Sequence, residues 1–161
     1  MEAEDGHAIV EAGQEKQHMN DKYNLQRFIT EHERVFDTAY SELAAGRKKS
    51  HWSWFIIPQI AELGRTFMSQ KYAINSIEEA RAFLEHPYLG TNIRKIAEVL
   101  LTLETSDATA VMGYPDDMKL RSSMTLFLEA APEEDVFQKV LDKYFDGIKD
   151  QKTLDILGAK Q

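Results

Sequence analysis

Two stretches of the chain concentrate side chains able to hold a ligand. The first, KKSHWSWFIIPQ from Lys48 to Gln59, contains both tryptophans, Trp52 and Trp54, with His51 before them and Gln59 at its end. The second, GYPDDMKLRSSMTLF from Gly113 to Phe127, gathers Asp116, Asp117, Lys119, Arg121, Ser122 and Ser123. Indole faces stack on planar groups, and lysine and arginine hold anions through charge-assisted hydrogen bonds. Together the stretches suit a small anionic ligand with a planar part, of a nucleotide-derived or ADP-ribose-like kind, with the serines on its polar edge. His51 or an aspartate is the candidate proton carrier. If the site turns a substrate over, hydrolysis of a glycosidic or phosphoester bond is the first class to test.

Each stretch also has a plain structural reading. If residues 51–55 are extended, Trp52 and Trp54 share one side and form a two-walled clamp. If they are helical, the two indoles diverge by about 200° and do not act together. The run Trp, Phe, Ile, Ile favours extended backbone, and Pro58 disfavours helix at Ile57. Against a clamp, aromatics threaded through a helical domain are ordinary core. In the second stretch, Leu120, Met124, Phe127, Leu128 and Ala131 form one helical stripe, while Met118, Ser122 and Leu126 form another about half a turn away. Such a helix is covered on both sides. Asp116 and Asp117 in its first turn then either pair with Lys119 and Arg121 or leave them to a ligand.

The elements that must position these stretches are helices. Leu25, Phe28, Ile29, His32, Phe36, Ala39, Tyr40 and Leu43 recur at three- and four-residue steps, ending at Gly46. A short helix follows from Phe67 to Tyr72. Ser76 with Glu79 makes a capping box for a helix through Ala80, Phe83 and Leu84. Pro87 opens a longer one to about Leu103, Ser106 caps a short one stopped by Gly113, and Pro115 begins another that runs to about Ala131. Val136, Phe137, Val140, Leu141, Tyr144 and Phe145 mark a further helix closed by Gly147, and Thr153 to Leu157 form a last turn or two. The spacing predicts an all-α, compact single domain of about seven or eight helical segments, with one extended aromatic connector and room for a small two-stranded element. Residues 23–161 make that domain. Residues 1–22 read as a disordered acidic leader, without an apolar period.

Charge and composition narrow the function classes. The chain carries a formal −8, of which residues 1–22 supply −4 through six carboxylates and two lysines. The only basic cluster is Arg47, Lys48 and Lys49, too little to release counterions from nucleic acid, so no nucleic-acid partner is expected. With no cysteine, thiolate nucleophiles, disulfides and cysteine-bound metals are excluded. No apolar run is long enough to span about 30 Å of hydrocarbon. An acidic N-terminus lacks the positive charge of a signal peptide, and these features point to a cytoplasmic protein without a membrane partner. No paired-histidine motif, phosphate loop, dinucleotide fingerprint or calcium loop is present, so no metal and no cofactor is assigned. His32, inside an apolar stripe, reads as a hydrogen-bonded core histidine, and His86 as a helix entry.

The stretches LQRFITEHERVFDTAYSELAAGRKKSHWSWFIIPQIAELG, YAINSIEEARAFLEHPYLG, PDDMKLRSSMTLF and VFQKVLDKYFDG resemble, in order and spacing, the bacterial family called domain of unknown function 1810. The resemblance spans about residues 24–157 and implies a compact, mainly helical domain with no established activity. Members sometimes carry a calpastatin-like label. That label fits poorly, because inhibitors of that kind fold on their target whereas this chain has core-forming helices throughout. The histidine-tryptophan-x-tryptophan and lysine-leucine-arginine-serine-serine stretches belong to the family pattern, and His32 stands where glutamine looks more usual. The rival to a ligand site is a non-enzymatic protein–protein interaction domain in which both stretches are core. A solvent-reachable Trp52 or Trp54 within side-chain reach of Lys119 or Arg121 favours the ligand reading, and that reading fails if all four are sealed in the core or point apart.

Overall fold

The computed structural model describes residues 21–160. Among these residues the helices are α1 Gln26–Ala44, α2 Ser53–Ile56, α3 Phe67–Lys71, α4 Ile77–Glu85, α5 Pro87–Thr102, α6 Ala108–Met112, α7 Asp116–Ala130, α8 Val136–Phe145 and α9 Gln151–Ala159. No strand forms among them, and of the small two-stranded element for which the sequence leaves room there is only a single parallel bridge between Ile60 and Ile74. The fold is all-α, as the periodicity implies.

The leader expected over residues 1–22 lies outside the described residues except for its last two. Asp21 belongs to the fold, because its carboxylate accepts from the backbone N–H of Leu25 at 2.7 Å and of Gln26 at 2.9 Å at the entrance of α1.

One core joins the helices. α1 buries Phe28, His32, Phe36, Ala39 and Leu43 against α5, and α4 and α8 pack on α5 and α7. α7 is covered on both sides: Leu120, Met124 and Phe127 are buried, and so are Ser122 and Leu126 on its other stripe. Met118, expected on that second stripe, is 57 % exposed, because it lies in the first turn beyond the covering helices.

Caps mark most of the boundaries. Gly46 takes φ +91° just past α1, where a side chain would be strained. The neutral His86 ring caps α5, Nδ1 accepting from the N–H of Tyr88 and Leu89, with Pro87 in the first turn. Two expected caps differ. Asp107, one residue after Ser106, caps α6 by accepting from Ala110 N. At α4, Ser76 accepts from Glu79 N, but Glu79 does not complete the box. Its carboxylate instead holds Arg27 at 2.9 Å and Asn75, because a buried guanidinium is a stronger partner than a terminal N–H. The same Arg27 donates to the carbonyls of Lys71 and Ala73, pinning Tyr72 between them.

The extended connector at the tryptophans is absent. Residues 53–56 wind into the single turn α2, with Ile56 N donating to Trp52 O and Ile57 N to Ser53 O. Pro58 acts only on Ile57, which leaves the helical region at φ −127°, ψ 66°. Upstream, tertiary packing overrides β-propensity: Phe55, Ile56 and Ile57 are all buried in succession, which an alternating strand with one solvent face does not permit.

Candidate functional site

The helical turn sends the tryptophans to different fates. Trp52 is 1 % exposed, and its Nε1–H donates to Glu42 Oε1 at 2.8 Å. Glu42, on the last turns of α1, also accepts from Lys49 N, Ser50 N and Ser50 Oγ, so one carboxylate ties the turn after α1 to the indole. Partial burial pushes the Glu42 carboxyl up, but these donors outweigh it and hold it down at about 2. Trp52 is therefore a core anchor.

Trp54 is half-buried and lines a shallow cleft with Ser53, Gln59, Ser69, Tyr72 and Lys119. The cleft holds about 230 Å³ of empty space, open solvent at its mouth included. Its enclosed space is only about 10 Å³, room for about one water, so a ring or planar group would lie across the open Trp54 face rather than inside the cleft. The Lys119 ammonium stands 5.3 Å from the Trp54 ring centre, within cation–π range. Exposed His51 packs its ring 6.4 Å from the same indole on the outer side.

Asp116 joins this cleft to the Trp52 side. Its carboxylate holds Lys48 Nζ at 2.8 Å, Lys119 Nζ at 3.4 Å, and the Ser53 hydroxyl at 3.0 Å. Burial pushes the Asp116 carboxyl up, and the Lys48 ammonium, with Lys119 and Ser53, more than reverses this and keeps it below the usual carboxylate range. Lys48 is committed: its side chain is 6 % exposed, and it also donates to Ser50 O at 2.6 Å.

The rest of the expected site residues lie apart from the cleft. Asp117 accepts from the Thr109 hydroxyl and from Met118 N, joining α6 to α7. Arg121 donates through Nε to Ile148 O and through Nη2 to Lys149 O, stapling the turn between α8 and α9. The arginine expected to hold an anion beside Lys119 is thus spent on backbone carbonyls, because it lies about 200° around the helix from Lys119. Ser122 is bonded back to Met118 O. Ser123 is fully buried and its hydroxyl has no partner. Replacing it with alanine removes an unsatisfied polar atom at little cost in shape, so Ser123→Ala leaves stability unchanged or raises it by up to about 1 kcal/mol in chemical denaturation.

A family model described as "Protein of unknown function (DUF1810)" matches residues 22–157. The chain belongs to this family. It is also similar to the crystal structure of the conserved hypothetical protein Rv1873 from Mycobacterium tuberculosis, at 37 % identity and TM-score 0.84 over 86 % of this chain and 99 % of that one. A comparison with curated proteins finds no match. The DUF1810 description names no activity, so geometry carries the functional argument.

In this DUF1810 member the cleft brings together Trp54, Gln59 and Lys119 of the residues singled out in the sequence, and Ser53, Ser69 and Tyr72, which were not, line it with them. Ser53 lies between the tryptophans and was legible once the segment is read as helical. Tyr72 and Ser69 carry no local signal, since contacts distant in the chain bring α3 to the cleft: the Arg27 clamp, the bridge at Ile74 and the edge-on packing of Tyr72 against Phe55. Gly64 makes that approach close: a Cβ there would lie 2.3 Å from the Ser69 side chain. Among the described residues no group of three or more histidine or carboxylate side chains converges to hold a metal, and no helix is long and apolar enough to cross a membrane.

Proposed function

We propose that this protein is a small-ligand-binding domain whose site is the cleft between α2, the end of α3 and the start of α7, with Trp54 as the stacking face. The observation that carries this reading is the half-exposed Trp54 ring with the Lys119 ammonium 5.3 Å away at the edge of an open cleft. The two stretches meet there, as a ligand site requires. The cleft is too shallow to enclose the nucleotide- or ADP-ribose-like molecule that the residue types suggest, so the ligand of this reading rests on the accessible Trp54 face.

Binding fits the groups better than hydrolysis does. Ser53 Oγ donates to Asp116, whose depressed pKa and paired lysines make it a weak base for activating a nucleophile. His51 is exposed and holds no carboxylate that would orient it.

The test is a thermal-shift and fluorescence screen of planar small molecules, sugar phosphates and nucleotides. A ligand at one hundred times its Kd stabilises the fold by about 2.7 kcal/mol, which raises the melting temperature. The expected result is a shift for small planar compounds that Trp54→Ala abolishes, with Trp52 emission unchanged. No shift across the panel overturns the reading. It would favour an interaction domain.

A further inference from the structure

The geometry points to a single ligand class at this cleft: a small planar monoanion, an aromatic carboxylate, whose charge draws Lys119 off Asp116. This deepens the proposed function and rests on it. Three observations on the cluster carry it.

The first is the charge balance. Asp116 has one negative charge and two lysines upon it. Lys48 matches it at 2.8 Å from within the fold, 6 % exposed, and adds a bond to Ser50 O. Lys119 is held more loosely, at 3.4 Å, and its side chain is 23 % exposed. Its unit of charge is the surplus one.

The second is what happens when Lys119 leaves. Asp116 keeps Lys48 and the Ser53 hydroxyl, so the carboxylate stays satisfied. On turning, Lys119 gives up a weak 3.4 Å bond and its cation–π contact with Trp54, and the ligand carboxylate replaces both, because the ammonium has further protons to donate. The Trp54 face it vacates is what a ligand ring would cover. A cationic ring, by contrast, would have to displace Lys119 against like charge.

The third separates a carboxylate from a phosphate. A phosphate dianion is ordinarily held by a guanidinium fork or several converging donors. Here the guanidinium, Arg121, is taken by Ile148 O and Lys149 O, leaving one ammonium for one charge. Gln59 and Ser69 add neutral polar groups to the same walls. The site offers one ammonium for one negative charge beside the Trp54 face.

The experiment is an NMR titration of the full chain with benzoate, benzamide, benzylamine and inorganic phosphate, following the Trp54 indole N–H. The inference expects benzoate to bind at least tenfold more tightly than benzamide, with benzylamine and phosphate weaker than benzoate. It expects Lys119→Gln to erase that preference while benzamide binding persists, and Lys119→Arg to retain it. Equal affinities for benzoate and benzamide, or an unchanged preference in Lys119→Gln, overturn the inference and leave the cleft reading standing. Phosphate matching benzoate overturns the carboxylate assignment. No perturbation of Trp54 by any ring compound overturns both.

Discussion

Glu42→Ala lowers the unfolding free energy by about 3 kcal/mol in urea or guanidinium titration, the sum of leaving a buried indole N–H unpaired and losing a charged acceptor. Four donors converge on this one carboxylate, from Lys49, Ser50 and Trp52. None of the other three is as buried as the indole of Trp52, which is 1 % exposed. With Trp52 unanchored, the turn from Gly46 to Ser50 and the start of α2 lose their common tie, so near-ultraviolet dichroism should change as well. Glu42→Gln keeps one acceptor oxygen and costs about half as much. A loss below about 1 kcal/mol in Glu42→Ala would show that Trp52 is held by packing alone.

Acid weakens the fold through His32. The buried ring donates from Nε2 to Phe55 O at 2.8 Å and accepts at Nδ1 from the Asn92 amide at 3.0 Å, an arrangement that requires the neutral imidazole. Burial drives its pKa down to about 4, against the Phe55 carbonyl, which raises it, and with His86, which lowers it further. An unfolded chain takes this proton near pH 6.5, so between pH 6.5 and 4 the unfolded state binds more protons and stability falls as pH falls. Above pH 6.5 the group contributes no slope. At 1.36 kcal/mol per pH unit, lowering the pH from 7 to 5 removes about 2 kcal/mol. His32→Gln keeps a donor for Phe55 and an acceptor for Asn92 without a titrating group, so most of that loss should vanish. A small residue remains from His86, whose cap on α5 also needs a neutral ring. An equal acid loss in the variant would remove His32 from the account.

His32 also joins α1 to the backbone of α2, the turn that carries Trp54. The cleft is therefore held from three directions: His32 at Phe55, Asp116 at Ser53, and Arg27 on either side of Tyr72. None of these ties is local in the chain.

That distance separates what the chain shows on reading from what it does not. Helix positions were legible because they rest on neighbours within four residues: the stripe of α1 from Phe28 to Leu43, Pro87 at the start of α5, and Gly46 and Gly113 just past the helix ends. His32 as a core histidine followed from the same stripe. The turn at Ser53–Ile56 ran against its own β-favouring residues, because burial of three successive apolar side chains outweighed a local preference worth about 1 kcal/mol at most. The site divides in the same way. Residue types alone marked Trp54 and Lys119 as able to hold a ligand. Only the fold decided that Trp52 would face Glu42 in the core, that Arg121 would be spent on the α8–α9 turn, and that Tyr72 and Ser69 would complete the cleft. A side chain's chemistry is intrinsic to it, whereas its availability depends on partners tens of residues away, and those are chosen by packing.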